Sequence, residues 1–142
     1  MKKQNYQNHK KIDPVFHRVI SLLALITLLL AVIFFVQTMG TELLLSLVIL
    51  FIVFTLIVVG AKLRLYALQL QDRMIRTEEN FRYYRMTGEL LDANLTLKQV
   101  IALRFASDEE YPKLVERALI EKLSPDEIKK SVQNWRADHY RL

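Results

Sequence analysis

Three consecutive acids, Asp108, Glu109 and Glu110, are the densest cluster of potential ligands in the chain. Carboxylates in a row can offer oxygen atoms to a divalent cation. Their spacing matches no calcium loop, however, and acids are expected wherever a helix begins, because the first turn exposes unpaired N–H groups. His9, His17 and His139 have no histidine four residues away and no HExxH context, so zinc coordination has no framework. The absence of cysteine removes thiol nucleophiles, thiolate metal sites, iron–sulfur clusters and disulfides together. Nor is there a Gly-rich phosphate loop, a GxSxG elbow or a paired catalytic constellation. The expectation is a protein that is not an enzyme, with no catalytic residue, cofactor or metal.

The elements that would position these side chains begin with two apolar runs. Of 142 residues, 23 without a formal charge separate Arg18 from Glu42, and another 19 separate Glu42 from Lys62. Each is long enough to cross a hydrocarbon core of about 30 Å. As core helices they would need cover that the charged remainder is too small to give. As a secretory signal the first run is too long and lacks an A-x-A site, so the tail before it is expected to stay on the mature protein. Gln37 to Glu42 is short enough to make the spans antiparallel neighbours, with Gly40 free to take a positive φ in the turn. Ser21, Ala24, Thr27 and Ala31 place small residues in one arc of the first span, where the second can approach closely. Neither span carries an ionisable group, so no ion path or proton relay is marked.

Lys and Arg fall before the first span and after the second, none between, which predicts both termini on the cytoplasmic side of the membrane. The net charge of +5 is concentrated beside the spans. Lys2, Lys3, Lys10, Lys11, Arg18, Lys62 and Arg64 are therefore expected at anionic lipid headgroups. Past Lys62 the pattern becomes amphipathic: Leu63, Tyr66, Ala67, Leu70, Met74, Thr77, Phe81 and Tyr84 share one face, and Asp72, Arg76, Glu79 and Tyr83 the other. Asp72 with Arg76 and Glu78 with Arg82 are spaced for i,i+4 ion pairs. The helix is expected to end at Gly88. Its apolar stripe calls for a cover, from the C-terminal helices, a second copy or lipid headgroups.

Three short helices should follow. Thr96 with Gln99 caps the first. Ser107 with Glu110 precedes the second, which fits best if Pro112 takes the first helical position. Ser124-Pro125-Asp126-Glu127 opens the third, expected to run to Arg136 with Ile128, Ser131, Val132 and Trp135 on its inner stripe. The last of these resembles a recognition helix, but the region from Asp92 onward carries equal numbers of basic and acidic residues, so nucleic acid is a disfavoured partner.

Four strings, QNYQNH from Gln4, QDRMIRTEE from Gln71, ALRFASDEEYP from Ala102 and KKSVQNWRADHYR from Lys129, resemble a bacterial family of small two-span membrane proteins of unknown function. The resemblance covers nearly the whole chain and implies the architecture without a mechanism. It points to Asp72, Arg73, Arg76, Glu79, Arg104, Asp108, Glu109, Glu110, Trp135, Arg136 and Asp138 as candidate interaction or bundle-fixing residues. Acids opening the second cytosolic helix are expected to pair with arginines of the long helix or the C-terminal one, Arg76 with Glu109 for example.

The sequence thus reads as an all-α chain: a basic tail (1–18), a first span (19–39), a short outer loop (40–42), a second span (43–61), a cytosolic amphipathic helix (62–88) and a small helical domain (89–142). The expected role is an adaptor, scaffold or assembly factor that binds another protein or a second copy of itself. A membrane-tethered nucleic-acid binder and an accessory subunit of a transporter are the alternatives.

Overall fold

The computed structural model describes residues 4–9 and 13–138. Five α-helices follow in order: α1 (Ser21–Thr38), introduced by a π-helical turn over Val15–Ile20, then α2 (Leu43–Thr87), α3 (Leu97–Leu103), α4 (Tyr111–Ile120) and α5 (Pro125–Ser131). Among the described residues the only strand-like pairing is one antiparallel bridge between Ala106 and Trp135. The chain is all-α. Residues 13–67 form one compact unit, and residues 4–9 with 68–138 form another. Lys2, Lys3, Lys10, Lys11 and His139 lie outside the described residues.

In the first unit Asp13 starts the leading helix, its Oδ1 accepting from the N–H groups of Val15 (3.0 Å) and Phe16 (3.2 Å). Two helices are long and apolar enough to cross a membrane. The turn between them closes through the N–H groups of Thr41 and Glu42, which donate to the Thr38 carbonyl at 3.0 and 2.8 Å. Gly40 does not take the expected left-handed conformation, because this turn stays right-handed; the positive-φ glycine is Gly88, at 79°. At the other end Arg64 meets the Asp13 carboxylate at 3.7 Å and lies 5.1 Å over the Phe16 ring. An antiparallel hairpin is therefore tied at both ends. Of the small-residue arc Ala31 is buried, whereas Ser21 and Thr27 are exposed and turn their hydroxyls to the Phe16 and Leu23 carbonyls. Ser46 and Val53 are the buried residues of the facing run.

The helix α2 continues through 45 residues without a proline. It stops where Gly88 supplies the left-handed residue and donates its N–H to the Tyr84 carbonyl at 2.8 Å. Reciprocal capping boxes start α3 (Thr96 with Gln99) and α5 (Ser124 with Glu127), and α4 begins at Tyr111 with Pro112 in its first turn. The inner stripes of these helices, Val100 and Leu103, then Tyr111, Leu114, Val115 and Ala118, then Ile128, meet Tyr83, Leu95 and Phe105 in one core. Each large apolar side chain sequestered there contributes about 1.5–3 kcal/mol.

In this unit one of the three covers expected for the apolar stripe, the C-terminal helices, falls away, and one helix is shorter than expected. The short helices pack on the face of α2 that carries Ile75, Glu79, Arg82, Tyr83 and Met86, while Leu70, Met74, Phe81 and Tyr84 each remain more than half exposed. That face looks polar in sequence, but Glu79 and Arg82 pair with each other and with Asp108 from the segment between α3 and α4 and Arg136 from the segment after α5. The C-terminal helix also ends at Ser131, five residues before Arg136, because Val132 turns extended (ψ 119°) and Trp135 joins the bridge to Ala106.

Candidate functional site

Arg82 projects from α2 toward the loop that joins α3 to α4. Its Nε donates to Asp108 Oδ1 at 2.8 Å, and Nη2 donates to the same oxygen. Nη2 also donates to the Ala106 carbonyl at 2.8 Å, and Nη1 to Glu79 Oε2 at 3.1 Å. Its guanidinium stacks 4.3 Å over the ring of Tyr111. A planar fork of five N–H groups suits this position as a lysine would not. The Arg82 bonds hold the Asp108 carboxyl below the usual carboxylate range. Burial, with Glu79 close by, pushes the Tyr111 hydroxyl well above its ordinary value, so that it remains a neutral phenol.

Glu110 is the second anchor. Its Oε1 accepts from the N–H groups of Ser107 (3.2 Å) and Asn134 (3.1 Å), and its Oε2 from that of Gln133 (3.1 Å). The start of α4 is thereby fastened to the segment after α5, next to backbone bonds from Ser107 to Asn134 (3.0 Å) and Arg136 to Phe105 (2.8 Å). Arg104, buried, meets Asp138 at 3.3 Å and covers the Phe105 ring at 4.5 Å. Arg136 approaches Glu79 at 3.8 Å.

The third contributor is the segment before the first span. The sequence context of His9, just ahead of the first apolar run, places it with His17 at the membrane surface and not inside a domain. Yet it is only 6% exposed, with its ring 5.7 Å from that of Phe105 and 5.8 Å from that of Trp135. Tyr6 donates its hydroxyl to Asp126 at 2.7 Å, with Lys130 over its ring at 5.6 Å, and Gln4 accepts from the Asp138 N–H at 2.8 Å. The contact sets Gln4, Tyr6 and His9 against Phe105 and the segment from Asp126 to Asp138. The QNYQNH string was the only sign of it in the sequence.

These groups surround an open cleft of about 1110 Å³, lined by Arg82, Arg85, Asp108, Trp135 and Arg136, with Gln4, Asn5 and Asn134 supplying amides. Every one of the four strings quoted above contributes to its wall. Of the sequence-predicted residues, Glu79, Arg104, Asp108, Glu109, Trp135, Arg136 and Asp138 line it, and Glu110 braces it from behind. Asp72, Arg73 and Arg76 do not. The three acids diverge: Asp108 turns to Arg82, Glu110 to backbone N–H groups, and Glu109 is exposed. The ion pair that fixes the bundle to α2 is thus Arg82 with Asp108, supported by Arg85 at 4.0 Å, and not Arg76 with Glu109. Among the described residues the expected Asp72–Arg76 and Glu78–Arg82 pairs are not formed, since Arg82 is drawn to Glu79 and Asp108. Arg82, Arg85, Gln4, Asn5 and Asn134 are among the cleft residues that sequence reasoning missed.

A family model described as a family of unknown function (DUF6526) matches residues 1–142. No curated protein and no solved structure matches the chain.

Proposed function

The chain belongs to the DUF6526 family, and from its own residues we propose a two-span protein of the bacterial cytoplasmic membrane whose helical domain is a non-enzymatic adaptor, scaffold or assembly factor, receiving a segment of another protein in the cleft. The membrane reading is supported by the surface of the hairpin: Leu22, Leu29, Phe51, Phe54 and Leu56 are all more than half exposed. A contiguous apolar surface of that kind, beyond a few hundred Å², is rare on a chain that faces water. Placement of both flanks on one side is supported by the docked tail, because Tyr6 and His9 precede the first apolar run while Asp126, Phe105 and Trp135 follow the second. The basic residues on those flanks favour the cytoplasmic side. Arg18 and Lys62 are exposed and available to headgroups, whereas Arg64 is engaged by Asp13.

The observation that carries the docking reading is the composition of the cleft. Its arginines and acids offset one another, its amides can both donate and accept, and an aromatic ring stands at its wall. A polyanion would call for a net basic surface; a polypeptide offers the alternating donors, acceptors and apolar groups that this lining complements. A photo-cross-linking residue placed at Asn134 in full-length protein should capture one discrete protein in cells, and one placed at Lys113 on the outer face of α4 should not. Equal capture at both sites would defeat the cleft reading. A nuclease-sensitive adduct at Asn134 would favour the membrane-tethered nucleic-acid binder, and a captured polytopic transporter the accessory-subunit role.

A further inference from the structure

Five residues along the exposed face of α2, Leu70, Met74, Thr77, Phe81 and Tyr84, are spaced 4, 3, 4 and 3 apart, and the same spacing runs back in sequence through Ala67 and Leu63. An alternation of three and four repeats every 3.5 residues, the period of a coiled-coil seam rather than of a straight helix resting on a core. Leu70, Met74, Phe81 and Tyr84 are 61%, 63%, 66% and 52% exposed. Thr77 is exposed too, its hydroxyl donating within the helix to the Arg73 carbonyl at 3.1 Å. The domain's own helices occupy the opposite side of α2, at Ile75, Glu79, Arg82, Tyr83 and Met86, with Glu78 and Phe81 at the edge of the cleft.

Met74 and Phe81 then stand at a positions, and Leu70, Thr77 and Tyr84 at d positions. This register puts Arg73 at g and Glu78 at e. In a parallel pair of helices each g residue faces the e residue five positions on in the other strand, so Arg73 of either copy meets Glu78 of the other, twice per dimer. Both side chains are exposed, and among the described residues neither is in an ion pair. We propose that α2 pairs in parallel with α2 of a second copy through the seam from Leu70 to Tyr84, its register set by the two Arg73–Glu78 contacts. Tethering both copies in one bilayer raises their effective concentration and makes a seam this short sufficient.

The chain has no cysteine, so single-cysteine variants report directly. Leu70→Cys, Met74→Cys, Thr77→Cys and Phe81→Cys, with Asp72→Cys and Arg76→Cys as off-seam positions, are oxidised as full-length protein in native membranes. The four seam positions should give disulfide dimers and the two off-seam positions monomer. Equal yields at all six, monomer at all six, or dimer at one central position only, the mark of antiparallel or random contact, overturns the proposal. In the Met74→Cys background Arg73→Glu sets like charges opposite each other and should reduce dimer by roughly fivefold, and adding Glu78→Arg should restore it. Failure of the second change to restore dimer overturns the assigned register.

Discussion

Arg82 binds two carboxylates and a backbone carbonyl at once, at only 6% exposure. Removing it leaves Glu79, also buried, with its main partner gone. Arg82→Ala should therefore cost about 3–5 kcal/mol, the range for breaking a buried pair from one side. Arg76→Ala, on an exposed side chain outside any ion pair of the described residues, should stay within about 0.5 kcal/mol. Thermal melts of the full-length protein in one detergent would separate the two. Asp108 makes the same interaction visible to pH. Its carboxyl is held below the usual range, so the folded state takes up a proton less readily than the unfolded one. The stabilisation is complete above about pH 4, where the unfolded carboxyl is ionised, and is lost as pH falls through the lower folded value. Asp108→Asn should lower the melting temperature at neutral pH and flatten its decline on acidification. A parallel shift of the whole curve would mean that the Arg82 bond does not set the acid limb.

Among the elements, those fixed by near neighbours could be read from sequence. The capping boxes at Thr96 and Ser124, the stop at Gly88 and the start of α4 beside Pro112 each depend on residues within one helical turn. What could not be read depends on distant partners. Glu79 and Arg82 look like a solvated face until Asp108 and the Ala106 carbonyl are set against them. Val132 to Trp135 keeps a helical apolar period although its backbone is taken by Ala106 and Glu110. The candidate site was legible in part for the same reason: its acids and its tryptophan belong to dense strings, whereas Gln4 and Asn5 are ordinary polar residues whose role exists only through Asp138 and the cleft wall. The tail segment has no regular structure of its own and is held by rings and side-chain bonds. His9→Ala should cost about 1 kcal/mol through the lost aromatic contacts. Amide exchange across residues 4–9 should quicken while the core of α4 keeps its protection. Unchanged exchange in the tail would show that His9 does not hold it.

For the whole molecule the expectation concerns sidedness. Thr41→Cys, in the turn between the apolar helices, should react with a membrane-impermeant maleimide in intact cells. Asn134→Cys, in the cleft, should react only after permeabilisation. Labelling of both from outside would reject the two-span arrangement. The docked tail adds an order of events to this. Tyr6 is synthesised 120 residues ahead of Asp126, its hydrogen-bond partner. At about 5–20 residues per second the tail waits roughly 6–24 s for its binding surface to be translated, while both apolar segments leave the ribosome. Tail docking thus has to wait until Asp126 is translated, and on the proposed two-span reading only a chain whose two flanks emerge on the same side can make it. On the proposed two-span reading, a chain inserted with its flanks on opposite sides would leave the rings of Phe105 and Trp135 without His9 against them.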